Sequence, residues 1–321
     1  MNAKKTFSVS ALAVLTIGVV SFLFANLMYF AFSLLQGEYP FFGSDHATWI
    51  IQITAMYVTA IPAALCVMLF LPKYAPEKRS LGAAEFFRYL LCSFPLLAAG
   101  NLVGTLLTLV LTLGRSASNP VQQILTENQS PLMYVTVVLI APVLEELFFR
   151  KVLIDRLAVY GEKNAILFSA ILFGIFHGNI GQLFYAALIG LLFGYVYVRT
   201  GKIRYSILIH VIINFIGSVV SVFVLKLFQP EALTSALKSG SLDRILEQIP
   251  PLLAVGAYFI SYYGLVALGV VMLVKTIRRL TFAPAALEIE KGKRIKTVYV
   301  NAGFIILSVY CLIKIVIALL T

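Results

Sequence analysis

Ala141-Pro142-Val143-Leu144-Glu145-Glu146-Leu147-Phe148-Phe149-Arg150 decides how this chain folds, because two adjacent carboxylates and an arginine stand inside an otherwise apolar run from 132 to 158. Each acidic or basic residue at the centre of a membrane helix costs about 2.5 to 3.5 kcal/mol on insertion scales, so this cluster needs partners or a use. At about 100° per residue, Glu146 and Arg150 form an i,i+4 pair with the acid N-terminal to the base, the favourable order. Glu145 points about 100° away and finds no partner within the motif, which leaves it as the carboxylate available for general-base chemistry. A salt-bridged network that merely locks helices together accounts for the Glu146–Arg150 pair better than it accounts for Glu145.

The surrounding composition explains why so few charges carry so much weight. Of 321 residues 60% are hydrophobic and 12% charged, with a mean hydropathy of +0.95, which no water-soluble domain of this length resembles. The chain is expected to be an all-α polytopic membrane protein. Its net charge of +11 is spread between apolar segments and is not gathered on one module, so it reads as a topology signal and argues against a nucleic-acid partner. Cys66, Cys92 and Cys311 lack metal-ligand spacing and are expected to be small core residues.

Apolar segments long enough to cross a bilayer run over 7–36, 47–71, 84–113, 132–158, 204–228, 251–276 and 298–319. The first of them is too long for a signal-peptide core and is expected to be retained. Two shorter runs, 164–178 and 182–199, are broken by Gly178-Asn179-Ile180-Gly181-Gln182, giving about nine helices with a short-helix hairpin at the core. A 15-residue helix rises only about 22 Å, so the hairpin is expected to turn inside the bilayer beside a water-filled cavity. With the N-terminus cytoplasmic, about 20 of the 25 Lys and Arg fall on one side and four on the other, which favours a cytoplasmic N-terminus and an extracytoplasmic C-terminus. Loops at 114–131 and 229–250 would then be extracytoplasmic, the second with a short amphipathic helix, while the basic loop 277–297 would be a solvated cytoplasmic face near anionic lipid. The chain divides into N-terminal helices (1–131), a helical core (132–228) and a C-terminal part (229–321).

Two of the three histidines also fall inside apolar segments: Phe173-x-x-x-His177 ends at the hairpin, and His210-x-x-x-Asn214 places both polar groups on one helix face. A lone membrane histidine usually bonds neighbouring helices; two, with an asparagine and a spare glutamate, favour a site. The ordered series Glu145-Glu146-x-x-x-Arg150, Phe173-x-x-x-His177 and His210-x-x-x-Asn214 resembles the CAAX-protease and bacteriocin-processing membrane proteins (CPBP, or Abi), across about residues 132–228. Gly190-Leu-Leu-Phe-Gly194 and Tyr197-Val-Arg-Thr-Gly201 are similar to that family too; Lys151, commonly Gly there, and the basic Lys202-Ile203-Arg204 depart from it.

The resemblance implies a glutamate-dependent intramembrane endopeptidase of the cell membrane. Glu145 would activate water, His177 would orient it, and His210 and Asn214 would donate to the oxyanion; Glu146 and Arg150 would support them, with Phe173 packing. Neither cofactor nor metal is implied, and the partners would be the lipid bilayer and a membrane-associated peptide or protein substrate. Depth along the helices puts Glu145 and His210 at one level, leaves His177 deeper, and suggests a cavity open toward the cytoplasm. Two alternatives compete: a zinc protease using Glu145, His177 and His210, and a non-catalytic scaffold, bacteriocin-immunity factor or transporter. Chelator sensitivity separates the first, survival of function in Glu145→Gln the second.

Overall fold

The computed structural model describes residues 2–74, 76–114 and 130–320; most of the expected 114–131 loop lies outside the described residues. The described chain is all α, and eight of its helical stretches are long and apolar enough to cross a membrane. In chain order the elements are α1 (Ala3–Leu35), α2 (Asp45–Met68), α3 (Ala83–Leu111), α4 (Pro131–Tyr160), α5 (Glu162–Phe176), α6 (Ile180–Thr200) and α7 (204–227). They continue as α8 (Pro230–Ser239), α9 (Leu242–Glu247), α10 (Ile249–Ile277), α11 (Arg294–Val298) and α12 (Ala302–Leu320).

Local chemistry sets the boundaries. Asn2 and Ser44 accept backbone N–H groups at the starts of α1 and α2. Gly161, at φ +104°, turns α4 into α5 in a conformation that side chains resist, and Gly201, in the left-handed region, closes α6. The hairpin between α5 and α6 differs from its expected form. Asn179 accepts the Gln182 N–H at 2.9 Å, and this cap draws Ile180, Gly181 and Gln182 into α6. Consequently α6 has 21 residues and only α5, with 15, is short.

Helix α6 is the hub of the bundle, and glycines let its neighbours approach it. A Cβ on Gly100 of α3 would lie 2.3 Å from the Tyr185 Cα, and one on Gly174 of α5 would lie 2.6 Å from the Leu183 carbonyl oxygen. Gly190 and Gly194 face Ala170 and Ile166 of α5, so this small-residue motif packs helices within the chain. Gly303 rests on Ser8 and Gly18 on Tyr310, which sets α12 parallel to α1. The outer surface carries Phe22, Leu27, Phe223 and Ile260, all exposed as lipid contact requires.

Two connecting segments fold over the bundle end that bears most of the cations. In the first, Tyr74 N–H donates to the Asp155 carbonyl, Arg79 N–H to the Thr200 carbonyl, and Leu81 N–H to the Tyr205 hydroxyl. In the second, Ala283 N–H donates to Glu162 and Leu287 N–H to the Val159 carbonyl, while Phe282 packs against Tyr195. The 277–297 loop is therefore a strap bonded to the core, where a freely solvated face was expected; its apolar residues Phe282 and Ile289 are what it buries or half-buries.

Candidate active site

Helix α4 positions the motif through two stretches of wider, π-type turns, Thr136–Ile140 and Leu147–Ile154, on either side of Ala141–Glu146. The first has a definite consequence. Ala141 N–H bonds to the Thr136 carbonyl, and Pro142, next in line, has no N–H to offer. The Val137 carbonyl is left to accept from Asn214 Nδ2 at 2.9 Å, which ties α7 to α4 beside the motif.

Glu146 and Arg150 are fully buried, with Glu146 Oε2 at 3.3 Å from Arg150 Nε, as the i,i+4 spacing predicts. The guanidinium lies 4.4 Å from the Phe173 ring centre and 5.4 Å from that of Phe193, so aromatic faces surround the charge where hydrogen-bond acceptors are lacking. Glu146 has a second partner that spacing did not reveal: its Oε1 lies 3.2 Å from His210 Nδ1. The other ring nitrogen, Nε2, faces Glu145 Oε2 at 3.9 Å. Glu145 thus acquires a partner from α7, having none on its own helix.

His177 Nδ1 lies 2.7 Å from the Phe173 carbonyl oxygen. A carbonyl only accepts, so Nδ1 carries the hydrogen and Nε2 is free to accept in the neutral ring. Phe173 stands edge-on to both His177 and His210, at 5.0 and 6.0 Å between ring centres, and sets their spacing. The depth mismatch disappears because α4 continues well past Lys151 to Tyr160: Glu145 and His177 each lie about 22 Å by helical rise from the turn at Gly161. Lys151 Nζ turns inward, reaching buried Asp155 at 2.6 Å and the Tyr197 hydroxyl at 3.0 Å.

Glu145, Phe173, His177, His210 and Asn214 all line one cavity of about 760 Å³ between α2, α3, α4, α5, α6, α7 and α10. Sequence reasoning missed Tyr57 of α2, which shares that wall and lies within electrostatic range of Glu145, and Asn101 and Gln182, which also line it. No short motif marks them; a tyrosine or amide in an apolar run signals a site only once the helices are assembled. Among the described residues no group of three or more His, Cys, Asp and Glu has an arrangement that would hold a metal ion.

Residues 127–216 match the family model "Type II CAAX prenyl endopeptidase Rce1-like". Over 168 residues the chain is 29% identical to "Putative membrane peptidase YdiL" of Bacillus subtilis (strain 168), covering 49% of this chain and 67% of that protein. No solved structure matches the chain. The matched stretch holds all three polar motifs and the helices that bring them together, and over it the chain is similar to the Rce1-like CAAX-protease domain.

Proposed function

We propose that this multi-pass membrane protein is a glutamate-type intramembrane endopeptidase, with residues 132–228 as its catalytic core. The observation that carries the proposal is the convergence of Glu145, His177 and His210 on one cavity wall, with Glu145 Oε2 3.9 Å from His210 Nε2. Charge balance suggests how the site works. Glu145, Glu146, Arg150 and His210 sum to zero when both carboxylates are ionised and the imidazole is protonated, and His210 Nδ1 already points at Glu146. In that state Glu145 is a carboxylate base and His210 Nε2–H a donor facing the cavity. A water between Glu145 and His177 Nε2 loses its proton to Glu145 as it attacks the peptide carbonyl. His210 and the second amide hydrogen of Asn214 donate to the oxyanion, and Glu145 returns the proton to the leaving amine; each donor of this kind is worth about 2.7 to 4 kcal/mol. Arg150 acts through Glu146 by holding its charge, and touches no reacting atom.

The test compares new peptide termini in membranes from cells producing wild-type protein or Glu145→Gln at equal abundance. Termini that disappear in the variant support hydrolysis and locate the cleaved bond. Identical lists, with any cellular effect of the protein intact, sink the proposal in favour of a non-catalytic membrane role.

A further inference from the structure

Helix α2 supplies a group that the mechanism above does not use. It runs parallel to α4 and is tied to it at both ends: His46 Nδ1 lies 2.9 Å from Ser130 Oγ, and Arg156 Nε donates to the Met68 carbonyl at 2.8 Å. Tyr57 stands midway between His46 and Met68, and the corresponding midpoint on α4 is residue 143, about 3 Å of helical rise from Glu145. Tyr57 therefore meets the cavity at the level of the base, within electrostatic range of Glu145. It sits in a stretch of wide, π-type turns, Thr54–Ala60. Among the described residues the other such stretches are Thr136–Ile140, Leu147–Ile154 and Phe215–Val220, all on α4 and α7, the helices that carry Glu145, His210 and Asn214. Turns of this kind are rare and gather at functional sites.

The Tyr57 hydroxyl is also uncommitted. Thr108, Thr136, Ser218 and Ser221 line the same cavity, but their hydroxyls donate to carbonyls of their own helices, at Gly104, Leu132, Asn214 and Gly217. A phenol hydroxyl stands too far from its own backbone to do this, and among the described residues Tyr57 has no hydrogen-bond partner. Peptide entering the cavity brings carbonyl oxygens, to which a phenol can donate. We propose that Tyr57 is a further catalytic residue, whose hydroxyl donates to the carbonyl oxygen of the bond being cut as that oxygen takes on negative charge. This rests on the endopeptidase reading and adds a donor from α2, outside the stretch 127–216 that matches the family model. As the water activated by Glu145 adds to the carbonyl carbon, the C=O electron pair moves onto oxygen, where His210, Asn214 and Tyr57 meet it with hydrogen bonds. Tyr57 keeps its proton throughout. When the C–N bond breaks, the pair returns to the carbonyl and the leaving amine takes its proton from Glu145.

The experiment follows cleavage, by the purified full chain in detergent, of a synthetic peptide spanning the bond that the Glu145-dependent termini locate. Tyr57→Phe keeps the ring and removes the donor. With a size-exclusion profile matching wild type, it is expected to lower kcat about 100-fold or more while KM stays within about threefold, the pattern of a bond made only in the transition state. A raised KM with kcat unchanged would make Tyr57 a ground-state contact, and unchanged values of both would make it a packing residue; either overturns the proposal. A second measurement needs no hydrolysis. In the full chain with Cys66, Cys92 and Cys311 replaced by alanine, the pair Tyr57→Cys/Glu145→Cys is expected to be bridged by a short bifunctional methanethiosulfonate at least tenfold faster than Val58→Cys/Glu145→Cys, since Val58 is 63% exposed on the outer surface. Equal bridging rates overturn the proposal even if Tyr57→Phe fails to fold. Absence of Glu145-dependent termini from wild type sinks the protease reading and this role together, whereas Glu145-dependent cleavage untouched by Tyr57→Phe sinks this role alone.

Discussion

Glu146 is the residue on which the buried cluster closes, since it meets Arg150 through one oxygen and His210 through the other. Glu146→Gln leaves a fully buried guanidinium without its counter-charge, and breaking a buried pair on one side costs about 3 to 5 kcal/mol. The expected outcome is a loss of folded protein in detergent, measured by size-exclusion profile and thermal midpoint. The double variant Glu146→Gln/Arg150→Met removes both charges and is expected to recover most of the folded yield, without recovering the Glu145-dependent termini, because His210 then loses the carboxylate that faces its Nδ1 at 3.2 Å. A second residue-scale prediction concerns Asp155, buried beneath Lys151 and the Tyr197 hydroxyl, which donates to it at 2.5 Å. Asp155→Ala strands that hydroxyl and is expected to lower stability by about 1 to 3 kcal/mol, read as a fall in thermal midpoint, whereas Lys151→Gly, with the lysine half-exposed, is expected to cost less.

At the scale of helices, close approach to α6 matters more than any polar contact. A Cβ on Gly100 would collide with the Tyr185 backbone, and backbone within a helix cannot step aside. Gly100→Ala is therefore expected to destabilise by about 1 to 3 kcal/mol or more through overpacking. Gly264 of α10 has open space around its Cβ position, so Gly264→Ala is expected to be neutral or to stabilise by about 0.5 to 1 kcal/mol from helix propensity alone. Thermal unfolding of the two variants side by side checks the pair. A matching loss in both would mean that glycine acts through helix propensity and not through the α3–α6 contact.

At the scale of the whole molecule, the strap over the cation-rich end is held in part by Glu162, which accepts the Ala283 N–H at 2.7 Å. Glu162→Ala is expected to loosen the strap, so that trypsin added to inverted vesicles cuts several-fold faster at Arg278, Arg279 or Lys291. Glu145-dependent cleavage should persist, because none of the described strap residues lines the cavity that holds Glu145. Unchanged trypsin kinetics would show that the Val159–Leu287 bond and the Phe282 contacts hold the strap without Glu162.

By itself the sequence determined what apolar length and i,i+4 spacing can express: the all-α membrane fold, the long helices to within a few residues, the Glu146–Arg150 pair, and the ordered motifs that resemble CAAX-type proteases. The seven long apolar runs are helices because about 20 residues without charge in a bilayer have no other way to satisfy their backbone. Only the tertiary structure decided the rest. His210 meets both glutamates, the proline-starved Val137 carbonyl accepts Asn214, and Tyr57 joins the cavity wall. Each of these depends on how α2, α4 and α7 are rotated and staggered against one another. Shape packing between helices sets that rotation, and periodicity along a single helix carries no record of it.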